Sequence, residues 1–270
     1  MKKIKESSIM IIQSVALLFA FAIPFLFDVQ GFFEQYLNNN YPTPENFWIF
    51  VSLSFGNVFL GFVICGVVLW KIRKSNGDRF MNRDTNIYHD YPYFWYLYCA
   101  KILGIKKCNL INVPIYMQMR LVIHQIFDEY PLNDNEYPAD ENEVVSVIKE
   151  NEKNKGLECN LILEDTYPLE EIQIPRTMRK LYTVKVSRHT NGDFGRHYSE
   201  EFVSKIINEV RNLPNGITLN VFATTNPKNT MNIARQVFAQ AERGNISHLY
   251  VYQQGKKGRR LFKKKGKKIY

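Results

Sequence analysis

The residues best suited to chemistry lie in the stretch KVSRHTNGDFGRHYSEE, from Lys185 to Glu201. Two Arg-His pairs fall within ten residues there, with an acid and two glycines between them. A guanidinium group binds phosphate oxygens through paired hydrogen bonds, and a histidine exchanges protons near neutral pH. Two interpretations follow: a ligand loop of an enzyme or sensor, and a polar, solvated loop.

Alternating and helical patterns of apolar residues indicate the elements that hold this loop. A period of two predicts strands over residues 157–163, 182–186 and 217–221, one from residue 249 onward, and a last one around residues 261–262. Helical spacing fills two of the gaps, with apolar stripes at Phe202, Ile206, Val210 and Leu213 and at Ile233, Val237 and Ala241. Strands with one apolar face predict a two-layer α/β domain whose helices lie mainly on one face of the sheet.

The loop over residues 187–197 lies where such domains bind ligands, after a strand and before a helix that Ser199 can cap. Loops after the first and third predicted strands should share its edge of the sheet. In an enzyme, Asp165 or Asp193 would orient a histidine that acts as acid or base. The ligand-binding hypothesis for this edge comprises Asp165, Arg188, His189, Arg196, His197, Thr224, Thr225 and Lys228.

Other features favour a solvated loop. Glu200 and Glu201 in the first helical turn complement the helix dipole and would repel an anion. The sequence contains no Walker, GxGxxG, GxSxG or HExxH motif, and the DFG at residues 193–195 stands without the other motifs of a kinase. We therefore assign no catalytic residue, metal ligand or cofactor, and we favour a non-enzymatic protein. The four cysteines lack CxxC spacing, so we expect free thiols in a reducing compartment.

Two uncharged segments near the N-terminus, residues 9–27 and 47–70, are long enough to cross a bilayer. They predict transmembrane helices at about residues 9–29 and 47–70. Ala20-Phe21-Ala22 resembles a signal-peptide cleavage site, but the apolar run continues past it and Pro24 follows closely. Lysine and arginine residues precede the first segment and follow the second, and residues 28–46 between the two segments contain neither. The positive-inside rule therefore places both termini in the cytoplasm.

The second apolar segment contains the small residues Ser52, Gly56, Gly61 and Gly66. Small residues let helices approach closely, either between the two spans or between copies of the chain. Neither segment carries an ionisable residue, which argues against a conducting pore.

Residues 75–155 read as a juxtamembrane and linker region. Residues 88–98 include seven aromatics, which suit either a membrane surface or an aromatic core. Apolar spacing predicts a helix over residues 112–130 with Asn112 as its cap, then an acidic loop, then a short helix over about residues 140–152.

The C-terminal sequence KKGRRLFKKKGKKIY carries nine basic residues and no acid. The formal net charge of the whole chain is +9, so the remainder sums to zero. Anionic lipid, nucleic acid, and a merely solvated tail or edge strand are the three alternatives for this segment. The predicted polyanion-binding residues are Lys256, Lys257, Arg259, Arg260, Lys263, Lys264, Lys265, Lys267 and Lys268.

These observations divide the chain into a membrane anchor over residues 1–74, the linker region over residues 75–155, and a cytosolic α/β domain with a basic tail over residues 156–270. We predict a membrane-anchored binding or assembly module of a bacterial membrane-associated complex, which uses a protein partner or self-association through its transmembrane helices. The alternative function is a membrane-tethered hydrolase or sensor of a phosphorylated small molecule or nucleotide, acting through residues 187–197. The architecture resembles that of DNA-transfer components and membrane-bound defence effectors at the level of fold alone.

Overall fold

A computed structural model describes residues 2–29, 31–32, 34–35, 43–54, 56–139, 142–190, 195–239, 244–255 and 258–270. The chain forms two compact units. The first comprises Met1–Ile87 and Tyr91–Cys108, and the second comprises Tyr88–Asp90 and Asn109–Tyr270.

The N-terminal unit is built on long apolar helices. They are α1 (Lys2–Leu26), α2 (Phe47–Ser54) and α3 (Gly56–Asn76), and α1 packs along α3. Within them, Ser8–Leu26 and Gly56–Asn76 are long and apolar enough to cross a membrane. The predicted segment 47–70 is divided into α2 and α3, and the positive φ of 75° at Gly56, the first residue of α3, marks the break between them.

Polar contacts join the ends of these helices to the aromatic segment. That segment forms α4 (Tyr93–Lys101), and the short strands β1 (Phe80–Met81) and β2 (Lys107–Cys108) pair in parallel beside it. The Tyr98 hydroxyl donates to Ser14 Oγ at 2.9 Å. Tyr96 is fully buried whereas Phe94 is 67% exposed, so one side of α4 belongs to the core and the other does not.

The C-terminal unit contains a six-stranded sheet in the order β3-β5-β4-β6-β7-β8. The four central strands are parallel, and β3 and β8 join the two edges in antiparallel orientation. The strands are β3 (Glu143–Glu150), β4 (Glu158–Glu164), β5 (Tyr182–Thr190), β6 (Ile217–Ala223), β7 (Ile246–Tyr252) and β8 (Lys267–Lys268).

Three helices pack on one face of this sheet. They are α5 (Ile115–Ile123), α6 (Glu200–Arg211), and α7 (Pro227–Ile233), which continues as a π-helical turn over Ala234–Phe238. The predicted stripes fill the layer, since Phe202, Ile206, Ile233 and Val237 are buried; Ala241 lies outside the described residues.

In the part of the chain that the structure describes, loops and short turns rather than an α-helix cover the opposite face of the sheet. Its apolar cluster contains Ile162, Phe222 and Tyr252 from the strands, with Ile174 and Phe262 from the segments above them. Short 3₁₀ turns at Asp134–Glu136, Glu152–Asn154 and Glu171–Gln173 complete the unit. The two-layer α/β class, with helices on one face, is confirmed.

Two predicted helices differ from those observed. The helix expected over residues 112–130 covers only Ile115–Ile123, and Pro114 rather than Asn112 precedes it. Asn112 and Gln125 both have positive φ angles, which break helical geometry on either side. The helix expected over about residues 140–152 is wrong, because Glu143–Glu150 forms edge strand β3. Its β-branched Val-Val-Ser-Val-Ile sequence favours a strand, and pairing with β5 overrides the helical spacing.

The last strand also lies later than predicted. Phe262 makes only an isolated bridge with Gln254, whereas Lys267–Lys268 forms β8 against β7. The Ile269 amide donates to the Leu249 carbonyl at 2.9 Å, and the Ile269 side chain is 4% exposed. The basic C-terminal segment is therefore part of the fold rather than a free tail.

Candidate functional site

A buried ion pair stands at the carboxyl edge of the parallel strands, where the sequence predicted a ligand site. Asp165 follows β4 and Arg188 lies near the end of β5, and both side chains are fully buried. Arg188 Nε donates to Asp165 Oδ1 at 2.7 Å, and Nη2 lies 2.7 Å from the same oxygen. Nη2 also donates to the Gly195 carbonyl at 2.6 Å. The arginine therefore ties two neighbouring strands to the loop that follows β5.

Two asparagines that the sequence analysis did not single out complete this network. Asp165 Oδ2 accepts hydrogen bonds of 2.9 Å from the Asn226 backbone, the Asn226 side chain and the Asn229 side chain. Both side chains also donate to the His197 carbonyl. The Asn226-Pro227 dipeptide was the available signal, because an asparagine before a proline is a typical helix start, and Asn226 caps α7.

The electrostatics of Asp165 combine opposing effects. Burial raises the pKa of its carboxyl group above the ordinary value, while Arg188 and the Asn226 and Asn229 donors act to lower it. The carboxylate has no oxygen left for a histidine, because Oδ1 is held by Arg188 and Oδ2 by the asparagines. Asp193, the alternative orienting acid, lies outside the described residues.

The two predicted threonines are engaged inside the same edge. Thr224 Oγ1 accepts from the Asp165 amide at 3.1 Å and donates to the Tyr167 carbonyl at 3.0 Å. Thr225 Oγ1 lies 2.7 Å from Thr230 Oγ1, and both residues are buried. These hydroxyls thus shape the loops between β4, β6 and α7.

The remaining predicted residues do not all share the face of Arg188, because His189 follows it within β5 and successive strand side chains point to opposite faces of the sheet. Arg196 is exposed, and His189 and His197 are partly exposed. The Lys228 ammonium lies 4.8 Å from the centre of the Tyr198 ring, a cation–π contact. Two buried nitrogens at this edge, Arg188 Nη1 and His197 Nδ1, have no hydrogen-bond partner among the described residues. The structure therefore brings Asp165, Arg188, Thr224 and Thr225 to one edge of the sheet and engages them in hydrogen bonds within the protein.

A second buried acid serves the opposite face of the sheet. Glu164 is 3% exposed and lies 2.7 Å from Lys185 Nζ, and its other oxygen accepts from Ser187 Oγ at 2.6 Å. It also accepts from the Leu169 amide, so it fixes the start of the segment that covers this face.

The basic C-terminal segment differs from the strand edge because its charges point outward. Its exposed described cations are Arg259, Arg260, Lys263, Lys264, Lys265, Lys267 and Lys268, whereas Lys256 and Lys257 lie outside the described residues. None of the seven forms a salt bridge with another described residue. Arg260 lies over the Tyr167 ring and Lys267 over the Tyr116 ring, at 5.1 and 5.9 Å from the ring centres. Within the described residues, no group of His, Cys, Asp and Glu is placed to hold a metal ion.

The architecture of two apolar helices and an α/β unit matches a known family. A model of the SMODS- and Ubiquitin system-associated 2TM effector domain, SUa-2TM, matches residues 1–270. The chain belongs to the SUa-2TM family. It is accordingly a membrane protein with two spans and an effector module of a multi-component system, which confirms the predicted membrane location.

Comparison with other proteins adds little beyond the SUa-2TM family. No curated protein matches the chain. Two solved structures of the Acinetobacter baumannii Cap4 SAVED/CARF-domain containing receptor are similar to it, one with the cyclic trinucleotide 2'3'3'-cAAA and one with 3'3'3'-cAAA. The first has a TM-score of 0.40 and 8% identity, and covers 64% of this chain and 40% of the receptor. The second has a TM-score of 0.38 and 8% identity, and covers 58% of this chain and 39% of the receptor. The chain thus corresponds to about two fifths of the receptor's length.

Proposed function

We propose that this SUa-2TM chain is a membrane-anchored binding and assembly module of its effector system. In this proposal the two spans hold the chain in the cell membrane with both termini in the cytoplasm. The α/β unit docks a partner, and its basic C-terminal segment contacts a polyanion. The chain acts through binding and performs no chemical reaction of its own.

The contrast between the two charged regions carries this proposal. At the strand edge, the Asp165 carboxylate is fully occupied by Arg188, Asn226 and Asn229, so it is not free to assist a histidine. In the C-terminal segment, by contrast, seven described cations are exposed and have no acidic partner among the described residues. The buried charges are engaged with each other inside the fold, whereas exposed charges of one sign in one patch attract an anionic surface.

A charge-neutralising experiment tests the binding role. The full chain in phosphatidylcholine nanodiscs is titrated with vesicles containing phosphatidylserine and, separately, with duplex DNA, across a range of salt concentrations. We expect binding to one of these polyanions at low salt and its steep loss toward physiological salt. The variant Lys263→Gln/Lys264→Gln/Lys265→Gln should bind more weakly and with a shallower salt dependence.

The matched control removes the same charge elsewhere. Lys153, Lys155 and Lys180 are exposed lysines outside the C-terminal segment, and their replacement by glutamine should leave binding largely intact. Equal loss in both triple variants would mean that net charge, rather than this segment, governs binding. If the chain binds neither the phosphatidylserine vesicles nor the DNA, the proposal is rejected.

A sensor of a phosphorylated small molecule is the second candidate, and one observation favours it. Arg188 Nη1 is buried at the strand edge without a hydrogen-bond partner among the described residues, and a phosphate oxygen would satisfy it. Calorimetric titration of the full chain with ATP and with pyrophosphate tests this function. An interaction that Arg196→Ala weakens would support it, and the absence of heat with both ligands would count against it.

A further inference from the structure

A groove on the α/β unit joins the basic C-terminal segment to cations that the sequence patterns did not connect with it. It lies between the residues that follow the 3₁₀ turn Glu171–Gln173 and the residues around Phe262, and its volume is about 830 Å³. Four cations and two aliphatic side chains dominate its lining: Arg176, Arg179, Arg259, Lys264, Ile172 and Leu261.

Hydrogen bonds hold the two walls of this groove together. Gln173 Nε2 donates to the Arg259 carbonyl at 2.9 Å, and the Phe262 amide donates to the Gln173 carbonyl at 2.9 Å. Below them, Phe262 is 5% exposed and packs edge-on against Phe222. The groove is therefore a fixed feature of the fold, although one wall belongs to the C-terminal segment.

One of the cations is oriented by the wall itself. Arg179 donates from Nε to the Ile174 carbonyl at 3.0 Å and from Nη2 to the Ile172 carbonyl at 2.9 Å. These bonds hold the guanidinium in place without neutralising its charge. No acidic side chain is among the described residues that line the groove, and none of its four cations forms a salt bridge with a described residue. Arg179 also lines a neighbouring cavity that contains Glu150, Glu170 and Glu171, so the attraction for an anion rests mainly on Arg176, Arg259 and Lys264.

The apolar part of the lining distinguishes among anions. Leu261 is 50% exposed and Ile172 is 42% exposed, and both are aliphatic. Nucleic-acid bases stack on exposed aromatic faces, but the aromatic ring in this lining, Phe262, is buried. Exposed aliphatic side chains beside a cluster of cations suit the boundary of a bilayer, where the cations meet head groups and the aliphatic groups meet acyl chains.

We propose that this groove binds anionic phospholipid head groups at a membrane surface, with Leu261 and Ile172 inserted among the lipids. The chain's own spans keep the α/β unit near a bilayer, which raises the local concentration of such lipids. The inference rests on the proposed binding role of the basic segment and narrows its polyanion to lipid. It also adds Arg176 and Arg179 to the residues that carry it.

The test places a bimane probe at Leu261→Cys in the full chain, with Cys65→Ala to remove the partly exposed thiol. The protein is reconstituted into vesicles that contain doxyl-labelled lipid, either in phosphatidylcholine alone or in its mixture with phosphatidylserine. We expect quenching of the probe in the mixed vesicles, little in the neutral ones, and loss of the quenching at high salt. Arg176→Gln/Arg259→Gln should abolish it, and the control Lys153→Gln/Lys180→Gln should not.

Several outcomes would overturn the inference. Equal quenching in the two lipid compositions would show that charge does not drive the contact. Unchanged quenching in Arg176→Gln/Arg259→Gln would place the contact elsewhere. A change in bimane emission on adding single-stranded DNA to neutral vesicles, if it requires Arg176 and Arg259, would assign the groove to nucleic acid. If the Lys263–Lys265 triple variant still loses polyanion binding while Leu261 stays unquenched, this inference alone fails and the proposed function stands.

Discussion

At the scale of residues, the Asp165–Arg188 pair shows how a sequence that looks like a ligand loop becomes part of the scaffold. The pair connects β4 and β5, and the two asparagines extend it to the start of α7. Removing one member of such a buried pair leaves the other charge without compensation, which costs more than the pair itself contributes.

Asp165→Ala should therefore lower the free energy of unfolding by about 3–5 kcal/mol. The double variant Asp165→Leu/Arg188→Met should recover a large part of that loss, since it removes both charges. Denaturant unfolding of the full chain in detergent, followed by circular dichroism, measures both effects. Arg196→Ala, at an exposed position of the same loop, is the control and should leave the midpoint unchanged. A double variant less stable than Asp165→Ala would contradict this account of the pair.

At the scale of elements, two glycines of α3 distinguish packing between the two spans from packing between copies of the chain. A Cβ added at Gly61 would lie 2.7 Å from the Phe21 carbonyl oxygen of α1, whereas one added at Gly66 meets nothing within 4 Å. Gly61 thus serves the packing of the two spans on each other, and Gly66 leaves room for another surface.

Gly61→Leu should therefore disrupt the packing of α1 on α3, and Gly66→Leu should leave it intact. Trp48, Trp70 and Trp95 all lie in the N-terminal unit, so tryptophan fluorescence during heating in detergent reports on that unit. We expect a lower transition temperature for Gly61→Leu alone. If both substitutions lower it equally, their effect comes from the added bulk in general and not from the contact with Phe21.

The C-terminal strand is the other element with a direct test. Ile269 is buried, and the Tyr270 carbonyl accepts from the Leu249 amide at 3.2 Å, so residues 267–270 complete the edge of the sheet. Deleting these four residues should destabilise the α/β unit, whereas Lys267→Gln/Lys268→Gln should not, because both lysines are exposed. Thermal unfolding followed by circular dichroism distinguishes the two. A deletion variant as stable as the full chain would show that β8 contributes little.

The sequence predicted most elements of the α/β unit because their patterns agree with their surroundings. The alternating apolar positions of β4 and β6 and the stripe of α6 lie in the core, although nearly all the intervening positions of the two strands are buried as well. The sequence failed at β3, where helical spacing and β-branched composition disagreed and pairing with β5 decided the outcome. The prediction for Asp165 failed for a different reason. The strand pattern placed this residue at the correct edge of the sheet, but it could not show that Asn226 and Asn229 would occupy the carboxylate.

At the scale of the whole molecule, the chain combines two membrane spans with an α/β unit whose unpaired positive charge is concentrated near its C-terminus. The SUa-2TM family assignment accounts for the spans and for the effector role. The proposed binding function depends further on which side of the membrane the C-terminal segment occupies. Lysine and arginine flank the spans on one side only, and on this ground we propose that the segment lies in the cytoplasm, beside the anionic inner leaflet.

The most direct test of this central claim is a pair of reporter fusions to the full chain in cells, one inserted at Asn39 and one following Tyr270. A reporter that is active only in the cytoplasm and one that is active only outside it are placed in turn at each position. We expect a cytoplasmic signal after Tyr270 and an external signal at Asn39. An external signal after Tyr270 would contradict the central claim, because the basic segment would then be separated from the cytoplasmic lipids and partners that it is proposed to bind.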